Sequence, residues 1–239
     1  MLFGVGLGPG DPDYMTVRAR DIILRADRLV HFCKRGRRGN ARATADAVIA
    51  PDPSREIELA FPVTIEVAVD DAGYTGPIAA FYDDAARQLA AEMEAGRTVA
   101  VLCDGDPFFY GSFMHLWRRL SPRFVTEVVP GVTGMAGAWT RAGAPITWGD
   151  DVMTVLPGTL SETELTRRLL DTDAAVIMKL GRNLPKVRRA LKVAGLIHRA
   201  VYVERATMAE QVIVNLSDKP DDEAPYFSMV LVPGEGRRL

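Results

Sequence analysis

Three glycine-bearing segments hold the residue types and spacings best suited to small-molecule chemistry. They are Gly6-Leu7-Gly8-Pro9-Gly10-Asp11, Cys103-Asp104-Gly105-Asp106-Pro107-Phe108-Phe109-Tyr110-Gly111 and Pro130-Gly131-Val132-Thr133-Gly134-Met135. Each follows an apolar run of strand character, and open α/β sheets bind ligands beyond the carboxyl ends of their strands. The first segment invites a dinucleotide reading and fails it. Pro9 removes an N–H donor, and the next helix is expected only from about Thr16, so no helix N-terminus meets a pyrophosphate. A plain tight turn and a small-molecule edge both remain open for it. In the second segment Gly105 lets backbone approach a ligand, Pro107 stiffens the turn, and the aromatic run offers flat faces and a phenol. The competing reading makes Asp106 the cap of a helix starting near Pro107, with the aromatics as core. The third segment is either a ligand loop or a strand-to-helix turn capped by Thr133.

A fourth feature is cationic. Lys34-Arg35-Gly36-Arg37-Arg38-Gly39 follows the second apolar run and would leave the sheet on the same edge as the glycine loops. Arginine forks bind carboxylates bidentately. A solvated loop is the alternative, and the basic helix face Lys186, Arg188, Arg189 and Lys192 reads first as a solvated face, with a role toward carboxylates left open. His31, His115 and His198 stand alone in sequence and read as structural or surface residues. Cys33 and Cys103 form no CxxC pair and have no histidine at ligand spacing, so neither a metal site nor a disulfide framework is expected.

The elements that must position these residues form an alternating pattern. Strand-like runs at Leu2 to Leu7, Leu29 to Cys33, Thr98 to Leu102 and Val125 to Val129 alternate with helical spacing at Thr16 to Ala26 and Pro77 to Ala95, the latter closed by Gly96. This is the signature of βα units on a parallel sheet. The second half continues with Val152 to Leu156, a helix from Ser161 to Leu170, Ala174 to Leu180, a helix from Leu184 to Ala194, and Val201 to Glu204. Gln211 to Leu216 and Tyr226 to Val232 then follow with no room for a crossover helix, so they are expected to pair antiparallel and make that sheet mixed. A boundary at Pro130 predicts two α/β domains, 1–129 with a parallel sheet and 130–239 with a mixed one.

Composition narrows the function classes. Twenty-nine Lys plus Arg against 31 Asp plus Glu leave a net charge of -2, which gives no global attraction for nucleic acid. No apolar run approaches the roughly 20 residues that span a bilayer, and the first residues lack the pattern of a signal peptide. The expected setting is the cytoplasm, without membrane or nucleic-acid partners.

The ordered set GLGPGD, GDPFFYG, PGVTG, ERATMAEQ (Glu204 to Gln211) and the terminal strand before VPGEG resembles the tetrapyrrole (corrin/porphyrin) methylase family over essentially the whole chain. Within it, KRGRRGNA (Lys34 to Ala41), FPVT (Phe61 to Thr64), DGDPFFYGSFMHL, KLGRN (Lys179 to Asn183) and VERATMAEQ resemble the branch that methylates a meso carbon of an early corrin-ring precursor in its metal-free form. Two positions depart from the family pattern. Asp104 stands where a glutamate is expected, and Gly134 where many relatives carry serine. The resemblance implies a homodimer of two-domain subunits with S-adenosylmethionine in a cleft between the domains, held mainly by backbone and leaving as S-adenosylhomocysteine. By motif, the implied cofactor contacts are Leu7, Pro9, Gly105, Asp106, Phe109, Tyr110, Thr133 and Gly134, with Met178, Leu180, Ala206 and Thr207 on the adenine side. No metal is implied.

Methyl transfer to carbon is an in-line displacement that needs the nucleophilic carbon about 3 to 3.5 Å from the methyl, so positioning is most of the work. A proton must leave the ring, and Asp104 and Tyr110 are the candidate acceptors by position. A corrin precursor carries many carboxylates, for which Lys34, Arg35, Arg37 and Arg38 are the expected partners. Three competing functions keep parts of this picture. They are methylation of the cobalt-containing ring, RNA methylation on the same fold, and a non-catalytic module that only binds the cofactor.

Overall fold

Strands β1 (Leu2–Gly6), β2 (Arg28–Lys34), β3 (Glu56–Phe61), β4 (Val99–Cys103) and β5 (Thr126–Val129) pair in the order β3-β2-β4-β1-β5, every pair parallel. This is seen in a computed structural model that describes residues 1–62 and 72–236. The chain divides into units Met1–Thr133 and Gly134–Leu239. A parallel sheet must bury both faces. On one face Leu2, Val30, Val99, Val101 and Cys103 pack under helices α3 (Ala72–Glu94) and α4 (Phe113–Leu120). On the other, Val5, Leu29, Ala100 and Leu102 pack against α1 (Val17–Arg25) and α2 (Asn40–Ala45). Because the strands all run one way, the segments after β1, β2, β4 and β5 leave from a single edge.

Helix ends follow local chemistry. Thr16 caps α1 by accepting a hydrogen bond from the Ala19 N–H at 3.1 Å. The expected stop at Gly96 is present: the Gly96 and Arg97 N–H groups bond back to the Met93 and Glu92 carbonyls, closing a Schellman motif. The helix expected from Pro77 begins instead at Ala72, with Pro77 inside it. Pro77 is exposed in the second turn, where it lacks the N–H that would bond to the carbonyl four residues earlier.

Two elements had no forecast. Helix α2 is six residues long, with no apolar periodicity and no side-chain cap. Strand β3 has six residues that alternate buried with open positions, a period-2 signal that went unread. Of the FPVT segment, Val63 and Thr64 lie outside the described residues.

In the C-terminal unit, β6 (Met153–Pro157), β7 (Ala174–Met178), β8 (Val201–Glu204), β9 (Val212–Asn215) and β10 (Ser228–Val232) form a mixed sheet of order β6-β7-β10-β8-β9. Helices α6 (Glu162–Leu170) and α7 (Leu184–Val193) cover one face, over Leu156, Ile177, Tyr202 and Val230. Helix α5 (Gly134–Arg141) lies on the other, over Val176, Val203 and Leu231.

The expected pairing of the last two strands is wrong. β9 pairs with β8, and β10 inserts between β7 and β8, antiparallel to both. The reason is burial. β10 buries four of its five residues, which suits a central strand, whereas β9 has none fully buried and takes the edge. The loop between them is held by Arg188, which is more than a solvated cation: it donates to the Leu216, Lys219 and Asp221 carbonyls and to the Asp222 carboxylate. Among the described residues no helix is long and apolar enough to cross a membrane.

Candidate functional site

The three glycine loops converge at the C-terminal edge of the N-terminal sheet, because β4, β1 and β5 are neighbours in it. The first two loops are zipped together by backbone. Leu7 N–H donates to the Cys103 carbonyl at 3.0 Å, and Gly105 N–H to the Gly8 carbonyl at 2.8 Å, extending β1·β4 pairing past the strands. Gly105 has φ +65, a conformation costly for any residue with a Cβ.

The third loop closes on both others. A Cβ on Gly131 would sit 2.1 Å from the Gly105 carbonyl oxygen and 2.9 Å from Gly6 backbone. Asp106 fixes this approach with both oxygens, Oδ1 accepting from the Phe108 N–H at 2.8 Å and Oδ2 from the Gly131 N–H at 3.1 Å. Asp106 is therefore not the cap of a helix starting at Pro107. The next helix begins at Phe113, and the carboxylate ties two loops together.

The aromatic run divides by environment. Pro107 is buried, Phe109 half-buried, and Phe108 and Tyr110 are exposed. Phe109 and Tyr110 meet edge to face with centroids 5.0 Å apart. Tyr110 adopts φ +55, rare for a side chain of this size, and such strain persists only where the surroundings impose it. Asp104 is open to solvent on one side, yet desolvation by the crowded protein around it pushes its carboxyl up to about 6. Cys103, beneath it, is buried with its thiol held well above the ordinary range by desolvation, which suits the inert core residue expected there.

Other expected contacts sort in the same way. Leu7 has no exposed surface and packs in the core, so only its backbone can meet a ligand. Pro9, Thr133 and Gly134 are half-buried.

In the C-terminal unit, the ends of β6, β7 and β8 share one edge, since β10 runs antiparallel to both β7 and β8. Met178 and Ala206 are partly buried there on the α5 face, while the Leu180 side chain is fully buried in the opposite core and leaves only its backbone available. Lys179, Arg205 and Thr207 all have positive φ, at 55, 45 and 70. Three strained non-glycine residues on one edge mark it as a built surface. Gln211 sets the last of them: its Oε1 accepts from the Thr207 N–H at 2.9 Å and from Arg141 Nε at 3.0 Å. Sequence reading did not single out Lys179 or Arg205, because strain has no one-residue signature; Gly131 was named within its loop but not among the residues expected to shape the site.

The basic run leaves β2 on the same edge as the glycine loops. Among the described residues, the exposed side chains of Lys34, Arg35 and Arg37 make no ion pair, whereas Arg38 pairs with Asp46. No group of His, Cys, Asp or Glu among the described residues has the geometry to hold a metal.

Residues 1–219 match the family model described as Tetrapyrrole (Corrin/Porphyrin) Methylases, and the chain belongs to that family. Its members are S-adenosylmethionine-dependent methyltransferases. Among relatives, the chain is 56% identical to a precorrin-2 C(20)-methyltransferase of Sinorhizobium sp, covering 98% of this chain and 95% of that one. It is 30% identical to the cobalt-precorrin-2 C(20)-methyltransferase of Salmonella typhimurium, covering 97% and 95%. In fold it is similar to a uroporphyrin-III C-methyl transferase from Thermus thermophilus complexed with S-adenyl homocysteine, with TM-score 0.67, 20% identity, and coverage of 97% and 91%.

The loop geometry fits such a cofactor. Where three loops meet at glycines, the surface they present is backbone N–H and C=O, which can hold a zwitterionic, polar molecule without a charged side chain for each group. Substituting Gly131→Ala forces these backbones apart. The expected result is a loss of about 1–3 kcal/mol of stability in urea unfolding, together with a large drop in S-adenosylmethionine affinity by calorimetry.

Proposed function

We propose that this chain transfers a methyl group from S-adenosylmethionine to C20 of metal-free precorrin-2, giving precorrin-3A in cobalamin biosynthesis. The observation that carries the proposal is the convergence of the three loops beside a cationic run on one sheet edge, in a member of this family. Two similarities bear on the substrate: 56% identity to a relative named for precorrin-2 against 30% to one named for the cobalt form. The family's tetrapyrrole chemistry disfavours an RNA substrate, as does a net charge of -2.

When bound, S-adenosylmethionine supplies an electrophilic methyl on a sulfonium. The chain's work is orientation. Leu7, Pro9 and Gly105 offer backbone to the cofactor, Asp106 keeps the loops in register, and Phe109, Tyr110, Thr133 and Gly134 line the same region. In the C-terminal unit the edge made by Met178, Leu180, Ala206 and Thr207 suits a flat, apolar base. Methylation of the ring carbon would leave a proton to be lost from the ring. Asp104 receives that proton. A carboxylate raised to about 6 is still ionised at neutral pH and is a stronger base than an ordinary aspartate. Tyr110, in the same loop, is the second candidate acceptor. Lys34, Arg35, Arg37 and Arg38 gather the substrate carboxylates. The working enzyme is a cytoplasmic homodimer.

Incubation with methyl-labelled S-adenosylmethionine and either ring form, with the label located by NMR, tests the assignment. Label at C20 of the metal-free ring is expected; turnover of the cobalt form alone, or none, would overturn it. Asp104 acts only when ionised, so kcat/KM should fall about tenfold per pH unit below about 6 and level off above it. Asp104→Asn should remove that acidic limb along with most of the rate. Removing the charge at Arg37 or Arg38 should raise KM for the ring severalfold while cofactor affinity stays within twofold, and equal losses in both would contradict the assignment of the run.

A further inference from the structure

The four cations after β2 are not equivalent. Lys34, Arg35 and Arg37 project from an exposed turn, closed by the Arg37 N–H on the Lys34 carbonyl, with no ion pair among the described residues. Arg38 is anchored. One of its terminal nitrogens donates to Asp46 Oδ1, and that same oxygen accepts from Arg42 Nη1 at 2.8 Å.

Arg42 has no exposed surface, which is exceptional for an arginine. Its charge is met within the fold. Nε donates to Glu56 Oε1 at 2.8 Å, Nη2 lies 2.8 Å from the same oxygen, and Nη2 also reaches the Ile49 carbonyl at 3.4 Å. Glu56 is the first residue of β3, in register with Leu29 of β2, and accepts a further bond from the Asp52 N–H. A continuous set of charge-assisted bonds thus runs from the sheet through Glu56, Arg42 and Asp46 to an exposed guanidinium.

Glu56 and Asp46 together offset Arg42 and Arg38, so the cluster is neutral overall and what it leaves for a ligand is donor capacity rather than net charge. Of the five N–H donors of Arg38, the bond to Asp46 takes one, and the described structure gives the others no partner. A planar fork tethered through one donor, on a side chain that is 47% exposed, is suited to bidentate capture of a second carboxylate. The unanchored cations beside it lose side-chain entropy on binding, which an already fixed guanidinium largely avoids.

We propose that Asp46, backed by Arg42 and Glu56, is a positioning residue that presets Arg38 as the fork for one substrate carboxylate, while Lys34, Arg35 and Arg37 supply only a diffuse attractive field. This rests on the reading that the basic run binds the ring's carboxylates.

The test is a double-mutant cycle on full-length protein, reading KM and kcat for precorrin-2, S-adenosylmethionine affinity, and melting temperature. Arg38→Ala is expected to raise KM about tenfold, and Asp46→Asn at least threefold, with kcat and cofactor affinity within twofold. The double variant should be no worse than Arg38→Ala alone. Asp46→Glu keeps a charge for Arg42 while altering the reach to Arg38, so it should raise KM with the melting temperature intact, which covers the case in which Asp46→Asn fails to fold. If Arg38→Ala leaves KM unchanged, the substrate reading of the run falls. If Arg38→Ala raises KM but the Asp46 variants do not, or if the two effects multiply, the positioning role alone falls. A parallel loss of cofactor affinity in the Asp46 variants would also overturn it, by making the role merely structural.

Discussion

The site depends on how closely three backbones can approach one another. The Gly6-Leu7-Gly8, Gly105 and Gly131 backbones come from segments remote in sequence, yet they approach so closely that a Cβ on Gly6 or Gly131 would overlap its neighbours. Backbone bonds join the first pair, and the Asp106 carboxylate draws in the third. The result is a surface made chiefly of peptide groups, rigid because each loop is fixed by a neighbour rather than by its own residues. Parallel strand order supplies the alignment, since only adjacent strands pointing the same way bring these ends to one edge.

Much of this was legible in the sequence because it rests on local rules. Apolar strand runs, the helix start near Thr16 and the Gly96 stop are set by a few adjacent residues, and the structure has them where the pattern indicates. What escaped was decided by tertiary competition. Strands β9 and β10 look like a hairpin in the chain, but the more apolar one is drawn to the centre of the sheet, where two neighbours bury it. Helix α2 has no periodicity to reveal it and is organised around the buried Arg42.

The site shows the same division. The glycine motifs advertise where backbone must come close, so the loops could be named in advance. Asp106 could be noticed but not understood: its partner at Gly131 lies 25 residues away, and nothing local distinguishes a cap from a tie between loops. The strained conformations of Tyr110, Lys179, Arg205 and Thr207 are likewise imposed from outside. Leu7 and Leu180 carry a different lesson, because a residue can belong to a candidate binding motif while its side chain belongs wholly to the core.

The position of β10 also bears on biosynthesis. It is made after β6, β7 and β8, yet it sits between the last two of these and supplies the only strand partner β8 has on that side. On the ribosome, β6 and β7 can pair early, while β8 and β9 can form only a separate ribbon with an unfilled inner edge. Such edges invite pairing with other chains until they are covered. The N-terminal sheet, whose strands are all complete by Val129, carries no such delay, so a nascent chain would hold one finished unit and one open sheet awaiting its keystone.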